Sequence, residues 1–500
     1  MNNDTKAAIL PELTAHMLRD GSNLVDNMFA DLWKHMGIKT KLGRIGFYKR
    51  SGTAAHQLVY CLMLWVWLRL DSISMFARES LQTFASAEKD ALYAALNNEG
   101  WNWRRLQLSL SLQTVREIHA TEESRAFVLD DTIHVRHGKK MPGVSSHFDH
   151  TSGRHVLGQQ VLTLGLSCAK GFVPVDSELF ISKTKVRDLH QAFHDGRSIV
   201  AQRYKAAKDQ TKPQMAKDMI RRAQRTGIKA KYLLADAWFG TKTMIKTADE
   251  QQLIPILRMK KNTMKYRLIE GKGGFSASRD LDANALYHAA VRCQWQKIAG
   301  QPYQAKTLDV ELNLNGTDEA ELWIKVRLLF VRGVDAEGKK QTGKHDWAVF
   351  LTTDIHLAAE QILTIYSMRW AIEVYFREAK QYLGFLKEQS NHYAAYIASI
   401  HLTAMRFCML VTAKMLHKAN GVSDIRKQLT TNVSSIDYAT RLWQVFQSVI
   451  AGALDEIKTG LGDMLADVTE TVDRHIQNFF VQTLQLDART LKLEANKSCS

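Results

Sequence analysis

Four residues in the last third of the sequence have types and spacing that could hold a metal ion against a phosphodiester. They follow the pattern Y-x2-R-x3-E-x6-K and are Tyr366, Arg369, Glu373 and Lys380. On an α-helix, which advances about 100° per residue, all four fall within a stripe of roughly 60°. The carboxylate would take the metal, and the cations would take the phosphate oxygens. The simpler alternative is a surface helix in which Glu373 pairs with Arg369 four residues earlier.

Two further carboxylate positions are predicted at the ends of short apolar strands. One apolar run ends in Asp130 and Asp131, and a second ends in Asp236 just before a glycine turn. Because the carboxyl ends of parallel strands lie at one edge of a sheet, these side chains are expected on the same rim. A lone aspartate in such a position is more often a cap or a turn former. Together with Glu373, however, the aspartates form the oxygen ligand set that Mg²⁺ prefers, and two such ions about 4 Å apart can drive an in-line displacement at phosphorus.

The elements that must position these residues change character along the chain. Apolar spacing typical of helices gives way to strand-like runs near the first aspartates, and helical spacing returns before Glu373. The predicted regions are residues 1–120 (helical, DNA-binding), 121–252 (first part of an α/β core), 253–355 (a mostly β insertion), 356–418 (second part of the core, with the Glu373 helix) and 419–500 (a C-terminal helical region that could dimerise).

The composition limits the class of protein and its partners. Five hundred residues exceed what one hydrophobic core usually serves, so several domains are expected. The net charge of +16 is spread along the chain, which favours a nucleic acid partner over a merely soluble basic protein. The five cysteines form no C-x2-C pair, which predicts reduced thiols. The N-terminus has no secretory signal, and the longest apolar run is too short to span a bilayer, so we expect a cytoplasmic protein.

The Y-R-E-K block resembles that of bacterial insertion-sequence transposases, which use an Asp-Asp-Glu triad on an RNase H-like fold. The segment around Asp130 and Asp131 is similar to the first-aspartate strand of that family, in which an acidic pair precedes a threonine, and the catalytic role is placed on Asp131. The segment Leu-Ala-Asp236-Ala-Trp-Phe-Gly is similar to the second strand, and Glu373 matches the third position. The resemblance covers about residues 120–415.

This resemblance implies a fold, a cofactor and an activity. The fold would be α/β, an RNase H-like mixed sheet with flanking helices, interrupted by the β insertion. Two Mg²⁺ ions, for which Mn²⁺ could substitute, would be held by Asp131, Asp236 and Glu373. The enzyme would bind terminal inverted repeats, cleave both strands, in some members through a hairpin, and join the 3′ ends to target DNA. It would act as a homodimer, because two ends must be brought together, and it would associate with the nucleoid when bound to DNA.

Several further residues are candidates for contact with DNA. In the related enzymes a tryptophan of the insertion stabilises a flipped base. Trp347 lies one residue from that position, and Trp323 is an alternative. Core packing is the simpler interpretation of both residues. A predicted basic, glycine-rich loop after residue 38 could hold a DNA backbone or be a solvated connector. The remaining candidates are Tyr366, Arg369 and Lys380 from the helix block, Arg136, Lys139 and Lys140 beside the first aspartates, and Arg221, Arg222 and Arg225 on a basic helix.

Some alternatives stay open at the level of the sequence. The histidines His134, His137, His147, His150 and His155 could bind zinc, although a basic loop near phosphates is the favoured interpretation. An RNase H-like nuclease without strand transfer would share the triad, and an inactive derivative would bind DNA without cutting it. A glycoside hydrolase could use a carboxylate pair, but it would not need the neighbouring cations.

Overall fold

One mixed β-sheet carries the strands that bear the candidate aspartates. The computed structural model describes residues 28–138, 140–149, 153–181, 186, 191–268, 280–289, 294–315, 320–334, 346–435 and 437. Cα packing divides the chain into two parts. The helical unit comprises Met1–Gln113, Gln191–Gln202 and Ala379–Ser500, and the α/β unit comprises Thr114–His190 and Arg203–Glu378.

The N-terminal part of the helical unit consists of short helices. They are α1 (Met28–His35), α2 (Ile38–Ile45), α3 (Ala55–Leu64), α4 (Ile73–Glu79), α5 (Leu81–Phe84), α6 (Lys89–Leu96) and α7 (Trp103–Ile118), the last of which crosses the division at Gln113. The basic segment predicted as a loop is largely the helix α2. Ile38 and Leu42, four residues apart, are buried and hold this helix on the core, and Gly46 ends it with a φ of 94°.

The remaining elements are groups of strands separated by helices. They are β1 (Ala126–Val135), β2 (Val144–Asp149), β3 (Arg154–Cys168), β4 (Gly171–Phe180), α8 (Ile199–Asp209), α9 (Lys212–Thr226), β5 (Tyr232–Ala235), α10 (Lys242–Glu250), β6 (Ile254–Arg258), β7 (Lys265–Leu268), β8 (Asp280–Asp282), α11 (Ala283–Ala289), β9 (Gln296–Lys297), β10 (Tyr303–Asn313), β11 (Trp323–Gly333), β12 (Trp347–Thr352), α12 (Ala359–Ser367), α13 (Trp370–Tyr382) and α14 (Tyr393–Leu416).

The strand order confirms the predicted fold class. In the described residues the order is β2-β3-β1-β5-β6-β12-β11-β10-β7-β8, with β4 also paired to β3 and β9 to β10. Strand β1 is antiparallel to β3 and parallel to β5, which is in turn parallel to β6. This is the mixed sheet expected of an RNase H-like core. The predicted β insertion extends the same sheet, because its first strand, β6, pairs with β5 on one side and with β12 on the other.

The chain after Glu378 belongs to the helical unit, whereas the sequence pattern grouped residues 356–418 with the sheet. The reason is the long helix α14, which packs against α1, α3 and α6. Its length and hydropathy alone would allow it to cross a bilayer, but its most apolar stretch is buried inside the unit, as in the core helix of a globular domain. Of the predicted C-terminal region, residues 422–435 are helical, and residues from 438 onward lie outside the described part.

Candidate active site

The parallel pairing of β1 with β5 brings two aspartates together. Leu129 pairs with Ala235, so the next residue on each strand, Asp130 and Asp236, stands at the same edge of the sheet, as the strand pattern predicts. The backbone N–H of Trp238 donates to Oδ1 of Asp236 at 3.0 Å, which fixes that carboxylate at the start of the turn. The two aspartates therefore form an acidic pair at the carboxyl edge of the sheet.

The third carboxylate, that of Glu373, is connected to this pair by an arginine that lies in a break between two helices. The predicted single helical stripe is not continuous: α12 ends at Ser367, α13 begins at Trp370, and Arg369 lies in the turn between them. The backbone N–H of Arg369 bonds to the carbonyl of Tyr366, a tightened i to i−3 contact that replaces the α-helical one. Arg369 donates through Nη1 to Oδ2 of Asp130 at 2.9 Å and through Nη2 to Oε1 of Glu373. One guanidinium thus links the first strand to the Glu373 helix.

The electrostatics of this cluster are strongly perturbed. Burial, followed by the negative charge of Asp236, raises the pKa of Asp130 to about 7, although Arg369 acts in the opposite direction. Burial raises the pKa of Tyr366 to about 12, so its phenol stays protonated beside the carboxylates. Its hydroxyl lies 3.5 Å from the carbonyl oxygen of Ala235. Like-charged carboxylates in a partly desolvated site are typical of functional sites rather than of a solvated face.

Asp131 faces a different environment from Asp130. Its Oδ2 accepts from Nζ of Lys212 at 2.7 Å, and its Oδ1 accepts from Nε2 of Gln160 at 2.7 Å. Consecutive residues of a strand point to opposite faces of the sheet. The carboxylate that was selected from the sequence is therefore engaged with helix α9 and strand β3, whereas Asp130 is engaged with Arg369.

The chemistry of the cluster fits a divalent cation. Asp130, Asp236 and Glu373 supply the oxygen ligands that hard cations prefer. The positively charged guanidinium of Arg369 lies between Asp130 and Glu373, where a metal cation would bind. Among the described residues, no three metal-ligating side chains lie close enough together to form a site in the present arrangement. Binding of a cation between Asp130 and Glu373 would therefore displace the guanidinium.

The other predicted contact residues lie in the α/β unit, except Lys380, which belongs to the helical unit. Arg136 is buried, and its Nε donates to Oε1 of Gln159 at 2.8 Å, so it is committed to the fold of the strands. Lys140 is exposed, and Lys139 lies outside the described residues. Lys380 is on α13, two turns beyond Glu373. Arg222 of the basic helix pairs with Asp176 at 2.7 Å.

The histidines predicted as a cluster do not share one environment. Nε2 of His147 lies 2.8 Å from Oγ of Ser145, and His147 is buried. His155 stacks edge-on against Phe148, with ring centroids 5.4 Å apart. His134 and His137 lie at and beyond the end of β1, and His150 lies outside the described residues.

The two candidate base-contacting tryptophans differ in accessibility. Trp347 is only 6% exposed, with its ring stacked on Tyr287 at a centroid distance of 4.2 Å. A base could stack on it only after Tyr287 moved. Trp323 is partly exposed and carries the guanidinium of Arg267 over its ring at 3.7 Å. Packing against Tyr287 therefore explains the buried position of Trp347.

Sequence reasoning missed the residues on the Asp131 side of the sheet. Lys212 and Gln160 donate to Asp131, and Trp238 lies against Lys212, but none of the three was selected. The residues around Lys212 do contain a signal, since Thr211 and Gln214 form a capping box that marks the start of α9. That signal locates the helix, but it does not reveal which acidic residue its first turn meets.

Comparisons with known proteins found two families that match this chain. The family model of the DDE superfamily endonucleases matches residues 68–272, and that of the transposase DDE domain matches residues 182–407. No curated protein matches the sequence. The two family matches together span residues 68–407 and include Asp130, Asp236 and Glu373. Both matches support a DDE transposase, an enzyme of the nuclease and polynucleotidyl transferase class, and DDE endonucleases generally use divalent metal ions.

Proposed function

We propose that this protein is the transposase of an insertion sequence, which cleaves DNA at the terminal inverted repeats of its element and joins the 3′ ends to target DNA. The observation that carries the proposal is that one sheet edge and one arginine connect three carboxylates. The sheet register places Asp130 beside Asp236, and Arg369 connects Asp130 to Glu373. A carboxylate trio of this kind, flanked by cations, suits phosphodiester hydrolysis and transesterification at one site.

Within this function, Asp130 is the first carboxylate of the triad rather than Asp131. Asp130 lies close enough to Asp236 for that charge to raise its pKa, and it shares Arg369 with Glu373. The Asp131 carboxylate forms an ion pair with the Lys212 ammonium and accepts a hydrogen bond from Gln160. A ligand of a shared metal must lie beside the other ligands, and Asp130, which lies beside Asp236 and shares Arg369 with Glu373, meets that requirement.

The bound metal would be Mg²⁺, with Mn²⁺ as a substitute, held by Asp130, Asp236 and Glu373. When bound, such ions activate a water or a 3′-hydroxyl and neutralise the leaving oxygen. Arg369 balances the charges of Asp130 and Glu373. With a cation between those carboxylates, its guanidinium would be available to hold a phosphate oxygen, and Lys380 lies on the same helix about 10 Å further along.

The helical unit offers a second place for the DNA backbone. A cleft of about 440 Å³ between α2 and α7 is lined by Gly37, Thr40, Lys41, Arg44, Ile45, Arg105 and Ser109. It contains three cations and two hydroxyls but no carboxylate. The Lys41 ammonium is oriented by Oε1 of Gln113 at 2.9 Å. This cationic cleft is suited to a phosphodiester chain, because phosphate oxygens accept from lysine, arginine and hydroxyl groups.

The assembly that performs the reaction is a homodimer, since two transposon ends must be held together before either is joined to the target. A hairpin on the transposon end is one route by which the second strand can be cut. Trp347 contributes to that route only if the aromatic stack with Tyr287 opens.

The deciding experiment uses a labelled duplex taken from the DNA that flanks the reading frame. The protein, Glu373→Gln and the matched control Glu360→Gln are each incubated with this duplex in Mg²⁺ and in EDTA. Glu360 is an exposed glutamate of α12. We expect cleavage at a defined repeat end that is lost with EDTA and in Glu373→Gln but retained in Glu360→Gln. Cleavage without joining to a target plasmid would indicate a nuclease, and binding without cleavage would indicate an inactive derivative.

The cationic cleft is tested by the salt dependence of DNA binding. Replacing Arg44 and Arg105 by glutamine should weaken binding and make the slope of log K against log salt less steep by about one to two. Lys89→Gln, an exposed cation at the start of α6, is the matched control. An unchanged slope in the double variant, or the same change in the control, would show that the cleft does not contact the DNA backbone.

A further inference from the structure

Trp238 is an exposed aromatic residue in the loop that carries a candidate catalytic carboxylate. It is 45% exposed, and its own backbone N–H holds the carboxylate of Asp236 at 3.0 Å. The ring and that carboxylate therefore belong to one short turn and must move together. Exposing an indole to water costs free energy that burial would recover. Neither the fold nor the carboxylate cluster requires this ring at the surface.

The ring is nevertheless held firmly in place. Nζ of Lys212 lies 4.3 Å from its centroid, and Phe239, which is buried, meets it edge-on at 4.7 Å. Lys212 is fixed in turn, because its ammonium is paired with Oδ2 of Asp131 at 2.7 Å and its side chain is only 7% exposed. An exposed ring fixed by a buried ion pair is preorganised to receive a ligand, since little side-chain freedom remains to be lost.

We infer that Trp238 contacts nucleic acid directly, by stacking on an unpaired base next to the phosphodiester that is cleaved at the carboxylate cluster. This inference rests on the proposed function. Every nucleobase has a π face, so such a contact is insensitive to sequence and suits an enzyme that must open a duplex end. Because Trp238 and Asp236 share one turn, a stacked base would fix the distance from its phosphate to the carboxylates. Lys212 and Asp131 act as positioning residues, through Trp238 and not through the substrate.

The test compares how Trp238 variants bind duplexes that carry, or lack, the unpaired base. The probe is the flanking duplex with a single unpaired 2-aminopurine placed at each strand terminus in turn, measured in Ca²⁺ with the full-length protein. At one terminus we expect Trp238→Ala to bind about tenfold more weakly and to lose the quenching of 2-aminopurine, whereas Trp238→Phe retains both. With an abasic residue at the same position, the protein and Trp238→Ala should bind equally. An equal loss on the abasic duplex, or no loss at either terminus, would overturn the inference.

A second set of variants tests whether Lys212 positions the Trp238 ring or only stabilises the fold. Lys212→Arg keeps the cation and should preserve quenching, whereas Lys212→Met should reduce quenching in protein that remains folded by circular dichroism. Full quenching in folded Lys212→Met would show that Lys212 does not position the ring. The outcomes are independent of cleavage. Base-dependent stacking without metal-dependent cutting would refute the proposed function alone, and cutting without stacking would refute this inference alone.

Discussion

The two faces of strand β1 give adjacent aspartates opposite surroundings. Asp130 meets Arg369, Asp236 and the Glu373 helix, and burial beside a like charge raises its pKa to about 7. Asp131 meets Lys212 and Gln160, which supply a matching cation and a hydrogen-bond donor. One face gathers negative charge that the fold leaves incompletely compensated, and the other pairs its charge within the fold. That difference distinguishes a site built to receive a cation from a structural ion pair.

The largest expected effect concerns the structural face. Lys212→Met leaves the Asp131 carboxylate without its cation in a mostly buried place, so we expect a loss of about 3–5 kcal/mol in the free energy of unfolding. The double variant Lys212→Met with Asp131→Asn should recover part of that loss, since no unpaired charge remains. Urea unfolding of the metal-free proteins measures both values. A single variant as stable as the double would show that the pair is not coupled.

A smaller effect is expected in the loop that joins the two faces. A Cβ at Gly240 would lie 2.4 Å from the carbonyl oxygen of Arg258, so Gly240→Ala must shift the turn that holds Asp236 and Trp238. We expect a loss of about 1–3 kcal/mol together with weaker cleavage. Gly43→Ala in α2 is the matched control, because a Cβ there meets nothing within 4 Å. Thermal unfolding that ranks the control as the less stable variant would contradict this reading of the loop.

The smallest effect is a pH dependence on the acidic face. Because the pKa of Asp130 is raised in the folded protein, the folded state holds its proton more tightly than the unfolded state. This contribution to stability is present at low pH and is lost as pH rises through about 7. Asp130→Asn, which mimics the protonated form, should therefore gain about 2–4 °C in Tm relative to the unaltered protein between pH 5 and pH 8, without metal. A relative loss over that range would mean that Arg369 keeps the carboxylate ionised.

The sequence was sufficient to predict the fold class and the shared sheet edge of two strands that end in aspartates. Apolar strand runs that end in acids, with helices between them, predict parallel pairing and a shared edge, and the register of β1 with β5 has that form. The choice between Asp130 and Asp131 could not be made in this way. Both residues end the same apolar run, and only the positions of Arg369 and Lys212 in the fold distinguish their faces.

Other departures have local physical causes. The block from Tyr366 to Lys380 has ideal spacing for one helix, yet i to i−3 hydrogen bonds break it at Arg369 and direct the guanidinium to two carboxylates. The basic segment with Gly43 appeared to be a loop because glycine disfavours helices. Burial of Ile38 and Leu42 outweighs that preference and makes it helical. In both places tertiary contacts decide between local structures of similar free energy.

The central claim, that Asp130 and not Asp131 completes the triad with Asp236 and Glu373, is tested most directly by comparing two variants. The rates of Mg²⁺-dependent cleavage of the flanking duplex are measured for Asp130→Asn and Asp131→Asn at equal concentrations of folded protein. Our account predicts a loss on the order of a thousandfold or more for Asp130→Asn and a loss within about tenfold for Asp131→Asn. Near-complete loss in Asp131→Asn, with activity retained in Asp130→Asn, would contradict it.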